Sequence, residues 1–353
     1  MKLISKPLSR VAAVVLSLAL LVPAAACHKG AQNAVSTTDT AQKTEVTTEV
    51  RVGALIGPTG VSMAKIATEG KTFADAYTDD TSSYVNTYKT DYADEPTQMV
   101  AKISSGELDI ACVPTNLAAK LYKVTKGNIR TAAVSTLGVL YLVDTSGQVS
   151  SVAELAGKTV YAPASTQAAN PEYILRYLLQ KNGVSDADVK FDYTVDELVA
   201  AVVSGKVQTV MMPEPKVTAL KGQLKKADVA FTVTDLQAEW NKVCDTPVAQ
   251  GVVIVRSDWL KDNEGAFKTF MNDFAASSDA AVNDLDGTVA NVVTLGVIPN
   301  DALARQAIPN CNIVCKTGDD MKKAVSDFLA VLLEADPQSV GGSLPDDAFY
   351  YAG

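Results

Sequence analysis

Histidine is almost absent from this chain of 353 residues, since the single one is His28. Histidine is the most common proton-transferring side chain in catalysis and a frequent zinc ligand. Its scarcity argues against Ser-His-Asp hydrolysis, histidine-based acid–base catalysis and zinc sites built from several histidines. The sequence therefore predicts a protein that is not an enzyme and that has no metal site and no cofactor.

Basic residues are also outnumbered, with 31 lysines and arginines against 40 aspartates and glutamates, which gives a formal net charge of −9. Binding to nucleic-acid phosphates relies on patches of lysine and arginine, so this balance argues against a nucleic-acid partner. Apolar content is ample, because 47% of the residues are hydrophobic. A chain of this length is long enough for about two domains with substantial cores.

Only the first residues carry a long apolar run. Lys2, Lys6 and Arg10 accompany an apolar segment over 11–22, which ends in small residues before Cys27. This order is typical of a cleavable export signal, and a cysteine after small residues resembles a bacterial lipobox. The interpretation is a lipoprotein whose Cys27 carries a palmitate-type anchor. Ordinary secretion, with Cys27 as a spare thiol, is the alternative.

The segment over 30–50 is rich in threonine, serine, glutamine and asparagine, and its apolar residues follow no period. Such composition is typical of a solvated linker. We therefore expect a signal peptide over 1–26 and a lipid-anchored flexible tether over 27–49. A lipid anchor, a flexible tether and a globular body together lead us to expect the body at the extracytoplasmic face of the cell membrane. No later segment of the sequence is long and apolar enough to span a bilayer.

The body contains one pattern twice. Residues 99–114 align with residues 198–213 without a gap, and five aligned positions are identical. In each copy a helix is predicted to end at a glycine, Gly106 or Gly205, that can adopt the left-handed conformation. A short apolar strand follows each glycine and ends at a proline.

Each copy follows a strand, a turn and a helix, which predicts two small α/β lobes with largely parallel sheets. The first lobe is expected over 50–145 plus 245–353, and the second over 146–244. One apolar strand is predicted over 136–144, and two chain crossings would form the hinge. Ligands bind beyond the carboxyl ends of parallel strands, so both lobes would face one cleft.

Several motifs in this order resemble those of solute-binding lipoproteins of ABC importers. They are the export signal with its cysteine, VGALIGPTG at 52–60, SGELDIA at 105–111 and SVAELAGKTV at 151–160. The resemblance is closest to the NMT1/SsuA-like group, whose members bind nitrate, sulfonates, taurine or thiamine precursors.

The resemblance implies a two-lobed periplasmic-binding-protein type II fold. It further implies a monomer that captures a small polar organic solute by lobe closure and delivers it to an ABC permease and its ATPase. A small-molecule enzyme or a sensory ectodomain on the same fold is the alternative.

Four turns are expected to meet at the cleft. Their hydroxyls, amides and backbone N–H groups near helix starts suit an anionic group, although the same residues could serve only as helix caps. The affinity is expected to be shared between the turns at 59–60 and 165–167. The predicted ligand-binding residues are Thr59, Gly60, Val61, Thr115, Asn116, Ser165, Thr166, Gln167, Asn170 and Glu214.

Glu214 favours a different ligand group from the other turn residues. It lies between two prolines at a strand end, where its carboxylate could pair with an amine or amidine nitrogen or could be a solvated turn residue. None of the four turns contains arginine, which weakens the case for a sulfate-like or nitrate-like ligand. The sequence therefore leaves a sulfonate, a zwitterion, a pyrimidine or a vitamin precursor open.

Four cysteines remain besides Cys27. Cys311 and Cys315 are close enough in sequence for a small disulfide in an exported protein. Four cysteines allow three pairings, so the connectivity stays open. Cys112 lies in an apolar run and is predicted to be a core residue of a strand.

Overall fold

The computed structural model describes residues 43–353. The predicted signal peptide, the predicted lipidation site at Cys27 and most of the predicted tether lie outside this range. Within residues 43–353, no helix has both the length and the apolar character needed to cross a membrane.

The described residues contain eleven strands and thirteen α-helices. The strands are β1 (Thr44–Leu55), β2 (Ser82–Ala93), β3 (Ile110–Pro114), β4 (Ile129–Thr136), β5 (Leu140–Asp144), β6 (Thr159–Pro163), β7 (Asp188–Tyr193), β8 (Thr209–Pro213), β9 (Thr232–Asp235), β10 (Gly251–Arg256) and β11 (Ile313–Lys316). The helices are α1 (Pro58–Ser62), α2 (Ala64–Glu69), α3 (Pro96–Ser105), α4 (Thr115–Val124), α5 (Asn170–Lys181), α6 (Val195–Val203), α7 (Lys216–Lys226), α8 (Leu236–Trp240), α9 (Ser257–Asp262), α10 (Glu264–Asn283), α11 (Leu285–Thr294), α12 (Asp301–Ala307) and α13 (Gly318–Ala335).

The strands form two sheets, each built around the same parallel unit. The first sheet has the order β11–β4–β10–β3–β1–β2, and the second has the order β7–β6–β8–β5–β9. In the first sheet β1 pairs in parallel with β2 and β3, and in the second β6 pairs in parallel with β7 and β8. The predicted pair of α/β lobes is confirmed.

The expectation of largely parallel sheets was wrong, because both sheets are mixed. The chain passes from β4 into the second sheet at β5, and it returns from β9 into the first sheet at β10. β5 runs antiparallel to β8, and β10 runs antiparallel to β3. A strand that enters a sheet at the carboxyl end of the parallel unit must run back along it, so each crossing adds an antiparallel strand.

The repeated pattern folds as the sequence predicts. α3 ends before Gly106, whose φ is 79°, and α6 is followed by Gly205, whose φ is 76°. Both glycines have the left-handed conformation expected after a helix end. The equivalent strands β3 and β8 follow, and each ends at its proline.

The first strand is longer than the sequence suggests. The sequence predicts residues 44–49 as part of the tether, but they belong to β1, which pairs with β2 along its whole length. Burial alternates along 46–50, with Val46 and Thr48 half-buried and Val50 fully buried. The ladder with β2 stabilises these residues, and composition alone does not reveal that partner.

The apolar run over 136–144 is two strands, and the prediction of one strand was wrong. β4 ends at Thr136 and β5 begins at Leu140 in the other sheet, so residues 140–144 belong to the second sheet, whereas the sequence predicts them in the first lobe. Between them, the Gly138 N–H donates to Gln237 Oε1 at 3.2 Å. A Cβ at Gly138 would lie 2.3 Å from that oxygen, so a larger residue here would displace the Gln237 side chain and break this hydrogen bond.

The two long helices bury the predicted apolar faces. Phe267, Phe270 and Phe274 of α10 are fully buried in the core beneath the first sheet. α13 packs against β4 of the first sheet and also against α5 of the second lobe. Its Phe328 ring lies 5.9 Å from the ring of Trp240, measured between centroids. α13 thus contacts both lobes behind the crossings.

The possible disulfide between Cys311 and Cys315 is absent from the structure, in which all four cysteines of the described residues are free thiols. Cys311 is fully buried in one core cluster, whereas Cys315 packs against a different one beneath the first sheet. Burial raises the pKa of the Cys315 thiol to about 11. Cys112 is a fully buried residue of β3, as predicted.

Candidate functional site

A cavity of about 700 Å³ lies at the carboxyl ends of the parallel strands of both sheets. Each of the six parallel strands contributes residues at or just after its carboxyl end. These are 56–59 after β1, 94–96 after β2, 114 at the end of β3, 165 and 166 after β6, 195 and 196 after β7, and 214–216 after β8. Parallel strands leave their carboxyl edge open in this way, so the site forms where the topology predicts a ligand.

The chain crossings also contribute to the cavity wall. Thr136 ends β4, Val139 precedes β5, and Gln250 and Gly251 lead into β10. Gly251 pairs with Pro114 on one side and with Thr136 on the other. The segments that join the lobes therefore form part of the site.

Half of the predicted ligand-binding residues line this cavity. They are Thr59, Ser165, Thr166, Asn170 and Glu214. The Thr59 hydroxyl donates to the Leu55 carbonyl at 3.0 Å, and the Thr166 hydroxyl donates to the Pro163 carbonyl at 2.6 Å. Because each hydroxyl proton is used within its own turn, these two side chains are left to act as acceptors for a solute.

The other predicted residues do not line the cavity. They are Gly60, Val61, Thr115, Asn116 and Gln167. The α1 turn directs Gly60 inward, where a Cβ would lie 2.8 Å from the Leu55 carbonyl oxygen. Thr115 is fully buried and its hydroxyl donates to the Ala249 carbonyl, so it braces the second crossing. The structure therefore does not place these five residues in the cavity wall.

The sequence interpretation missed three parts of the wall. Asp94 and Glu95 follow β2, and Asp196 follows β7, so the strand topology itself could have identified them. The loop between α11 and α12 contributes Val297 and Pro299, and α12 itself contributes Leu303. No local signal marks that loop, because its position depends on packing far along the chain.

Glu214 is the most deeply buried charged residue of the wall, at 1% exposure. Its Oε1 accepts a hydrogen bond of 2.8 Å from Thr218 Oγ1, whereas its Oε2 is buried without a partner among the described residues. Burial raises the pKa of the Glu214 carboxyl, although the Thr218 hydrogen bond and the charge of Lys221 act in the opposite direction. A buried acceptor without a donor destabilises the folded protein. A hydrogen bond from a solute N–H group to Oε2 would remove this cost and would therefore stabilise the complex.

Asn170 and Gln250 add two more unpaired oxygens. Asn170 Nδ2 donates to the Gln250 carbonyl at 3.0 Å, which joins the second lobe to the crossing segment. This bond fixes the orientation of the Asn170 amide and leaves its Oδ1 buried without a donor. Gln250 Oε1 is likewise buried and unpaired in the described structure.

The charge of the wall is predominantly negative. Four carboxylates line it, from Asp94, Glu95, Asp196 and Glu214, whereas the only basic residue among the lining residues is Lys216. The lining includes neither arginine nor an aromatic side chain. Much of the remaining wall consists of proline, valine, leucine and alanine, so the cavity combines an apolar surface with a few acceptors.

Two lobes around a cleft at their strand ends define the class of two-lobed solute-binding folds, and solved structures share this fold. An ABC transporter structure from Parabacteroides distasonis has a TM-score of 0.69 and 24% identity, covering 86% of this chain and 99% of that chain. The periplasmic aliphatic sulphonate binding protein SsuA from Escherichia coli has a TM-score of 0.63 and 12% identity, covering 86% and 92%. The ligand binding component of an ABC-type import system from Staphylococcus aureus, solved with zinc bound, has a TM-score of 0.60 and 13% identity, covering 86% and 96%.

The family follows from the sequence comparison. The NMT1/THI5-like family matches residues 79–286, which is more than half of the chain. The chain therefore belongs to the NMT1/THI5-like family, and the periplasmic-binding-protein type II fold predicted from the sequence is confirmed. No curated protein matches the sequence of this chain.

Proposed function

We propose that this protein is the extracytoplasmic solute-binding component of an ABC importer. The observation that carries the proposal is the cavity, because the ends of all six parallel strands and both chain crossings line it. The structures that share the fold are, by their descriptions, an ABC transporter, a sulphonate binding protein and the ligand binding component of an import system. This support favours solute binding over an enzyme or a sensory ectodomain.

We further propose that the two lobes close on the solute about the crossings at 137–139 and 236–250. The wall is divided between the lobes, so a bound solute contacts both and favours the closed arrangement. α13 packs on both lobes behind the crossings and would act as the fixed side of the hinge. A monomer would then present its closed form to a permease and its ATPase.

Solute binding is expected to contract the protein and to leave the solute chemically unchanged. A small-molecule extract can be screened by native mass spectrometry, and the bound compound can then be tested by small-angle scattering and calorimetry. At a solute concentration one hundred times Kd, mass action adds about 2.7 kcal/mol to the free energy of unfolding. A compound from the same extract that does not bind serves as the control. Steady conversion of the bound compound would favour an enzyme instead.

Export and lipid anchoring form a separate part of the proposal, and they rest on the sequence before residue 43. The mature protein would begin at an acylated Cys27 and reach β1 through a short linker. Replacement of Cys27 with serine is expected to move the protein from the membrane fraction to the soluble fraction. Cys244→Ser is the control, because that thiol lies in the body. Equal membrane retention of the Cys27→Ser variant and the parent would contradict anchoring at this residue.

A further inference from the structure

The charge distribution of the cavity opposes an anionic solute. Three of its carboxylates, on Asp94, Glu95 and Asp196, are exposed at the wall, and the fourth, on Glu214, is buried. Lys216 is the single basic residue of the lining and is itself exposed. A cleft lined by one sign of charge raises the local concentration of the opposite charge. A sulfonate would enter against this field.

The hydrogen-bonding groups of the wall also favour a solute that donates hydrogen bonds, as a cationic nitrogen group does. Glu214 Oε2, Asn170 Oδ1 and Gln250 Oε1 are three buried acceptors without donors among the described residues. The hydroxyl protons of Thr59 and Thr166 are already used within their turns. The buried part of the wall therefore offers three acceptors that still need a donor, and a group with several N–H donors is their complementary partner.

The remaining surface indicates the skeleton of the solute. None of the lining residues is aromatic, so the cavity has no ring on which a flat heterocycle could stack. Its apolar wall includes Val199, Ala200, Ala219, Val297 and Leu303, which present aliphatic groups. An aliphatic chain fits such a surface without requiring stacking.

We infer that the solute carries a cationic nitrogen group, of amidinium, guanidinium or ammonium type, on an aliphatic skeleton, with Glu214 as its principal partner. This inference rests on the proposed function, because it names the class of solute that the cavity takes. It also separates this chain from the sulphonate binding protein that shares its fold. The field of the wall attracts the cation, and the buried carboxylate pairs with it.

Three probes of similar size test the inference: pentanamidine as the cation, pentanamide as the neutral analogue and butanesulfonate as the anion. By titration calorimetry, pentanamidine is expected to bind at least about tenfold more tightly than either of the others. Butanesulfonate binding as tightly as pentanamidine would overturn the inference. The same extract screen that tests the proposed function adds a second measurement, since a recovered solute without a cationic nitrogen would also overturn it.

Glu214→Gln tests the assigned partner. The amide can still accept from Thr218, but it loses the charge, so pentanamidine binding is expected to weaken by about tenfold or more while pentanamide binding changes little. Glu69→Gln is the matched control, because Glu69 is an exposed carboxylate outside the cavity lining. Unchanged preference for the cation in Glu214→Gln would overturn the assignment.

The folded state of the Glu214→Gln variant can be checked independently. The raised pKa means that Glu214 contributes most to stability below its unfolded pKa, and that this contribution is lost as pH rises through the folded pKa. The variant should therefore be at least as stable as the parent at pH values above that pKa. If no extract compound binds and no contraction occurs, the proposed function fails. If a sulfonate binds and closes the lobes, only the inference fails.

Discussion

Replacing Asp273 with alanine is expected to lower the free energy of unfolding by about 3–5 kcal/mol, because three donors lose their buried acceptor together. Asp273 lies on α10 and is fully buried. Its Oδ1 accepts hydrogen bonds from the backbone N–H groups of Phe73 and Ala74, at 3.0 and 2.8 Å. Its Oδ2 accepts a hydrogen bond of 2.5 Å from the Tyr88 hydroxyl.

The effect is large because one carboxylate accepts from all three donors, and the N–H groups of Phe73 and Ala74 have no other hydrogen-bond acceptor among the described residues. Burial, and then the hydrogen bond to Asp273, raises the pKa of the Tyr88 hydroxyl well above its usual value, so it remains a donor. The same helix holds this loop through Thr269, whose hydroxyl oxygen accepts from the Tyr77 N–H at 2.9 Å. Loss of Asp273 would loosen the whole connection between α2 and β2.

Urea unfolding of Asp273→Ala, Asp273→Asn and Asp279→Ala checks this expectation. Asp279 is exposed on the same helix and accepts only from Asn283, so its loss should cost no more than about 0.5 kcal/mol. Asparagine at 273 retains one oxygen for the backbone donors and should fall between the other two variants. An Asp273→Ala variant as stable as Asp279→Ala would show that the buried network contributes little.

Placing tryptophan at Ala200 is expected to weaken solute binding by roughly ten- to hundredfold, which corresponds to about 1.4–2.8 kcal/mol. Ala200 lies on α6, is exposed and lines the cavity from the second lobe. A large ring there would occupy solute space and oppose lobe closure. Because the side chain starts from an exposed helix position, the fold itself should tolerate the change.

Ala290→Trp is the matched control for the blocked cavity. Ala290 is also an exposed alanine within a helix, α11, but it does not line the cavity. Calorimetry with the solute recovered from the extract should give parental affinity for this control. Parental affinity in Ala200→Trp as well would mean that the solute binds elsewhere on the protein.

Local sequence patterns were sufficient to predict much of the fold. Helix ends at Gly106 and Gly205, the prolines that close β3 and β8, and the apolar faces of α10 and α13 all depend on local conformational preference or periodicity. The repetition of one unit then determined that two similar lobes form, and strand direction determined which edges face the cleft.

Long-range packing decided what local patterns could not. β4 and β5 are separate strands because they pair in different sheets, and β1 gains its first residues from the ladder with β2. Thr115 turned out to brace a crossing because its acceptor, the Ala249 carbonyl, is distant in sequence. Cys311 and Cys315 are near in sequence, yet they pack in different core clusters.

The binding site also combines features that the sequence predicts with features that depend on the tertiary structure. The sequence by itself determined that Glu214 stands at a strand end between two prolines, and that arginine is missing from the turns. Only the tertiary structure decided that its Oε2 is buried without a donor and that carboxylates from both lobes share the wall. Burial and hydrogen-bond partnership depend on every element packed around an atom, so they follow from the assembled fold rather than from any segment of the chain.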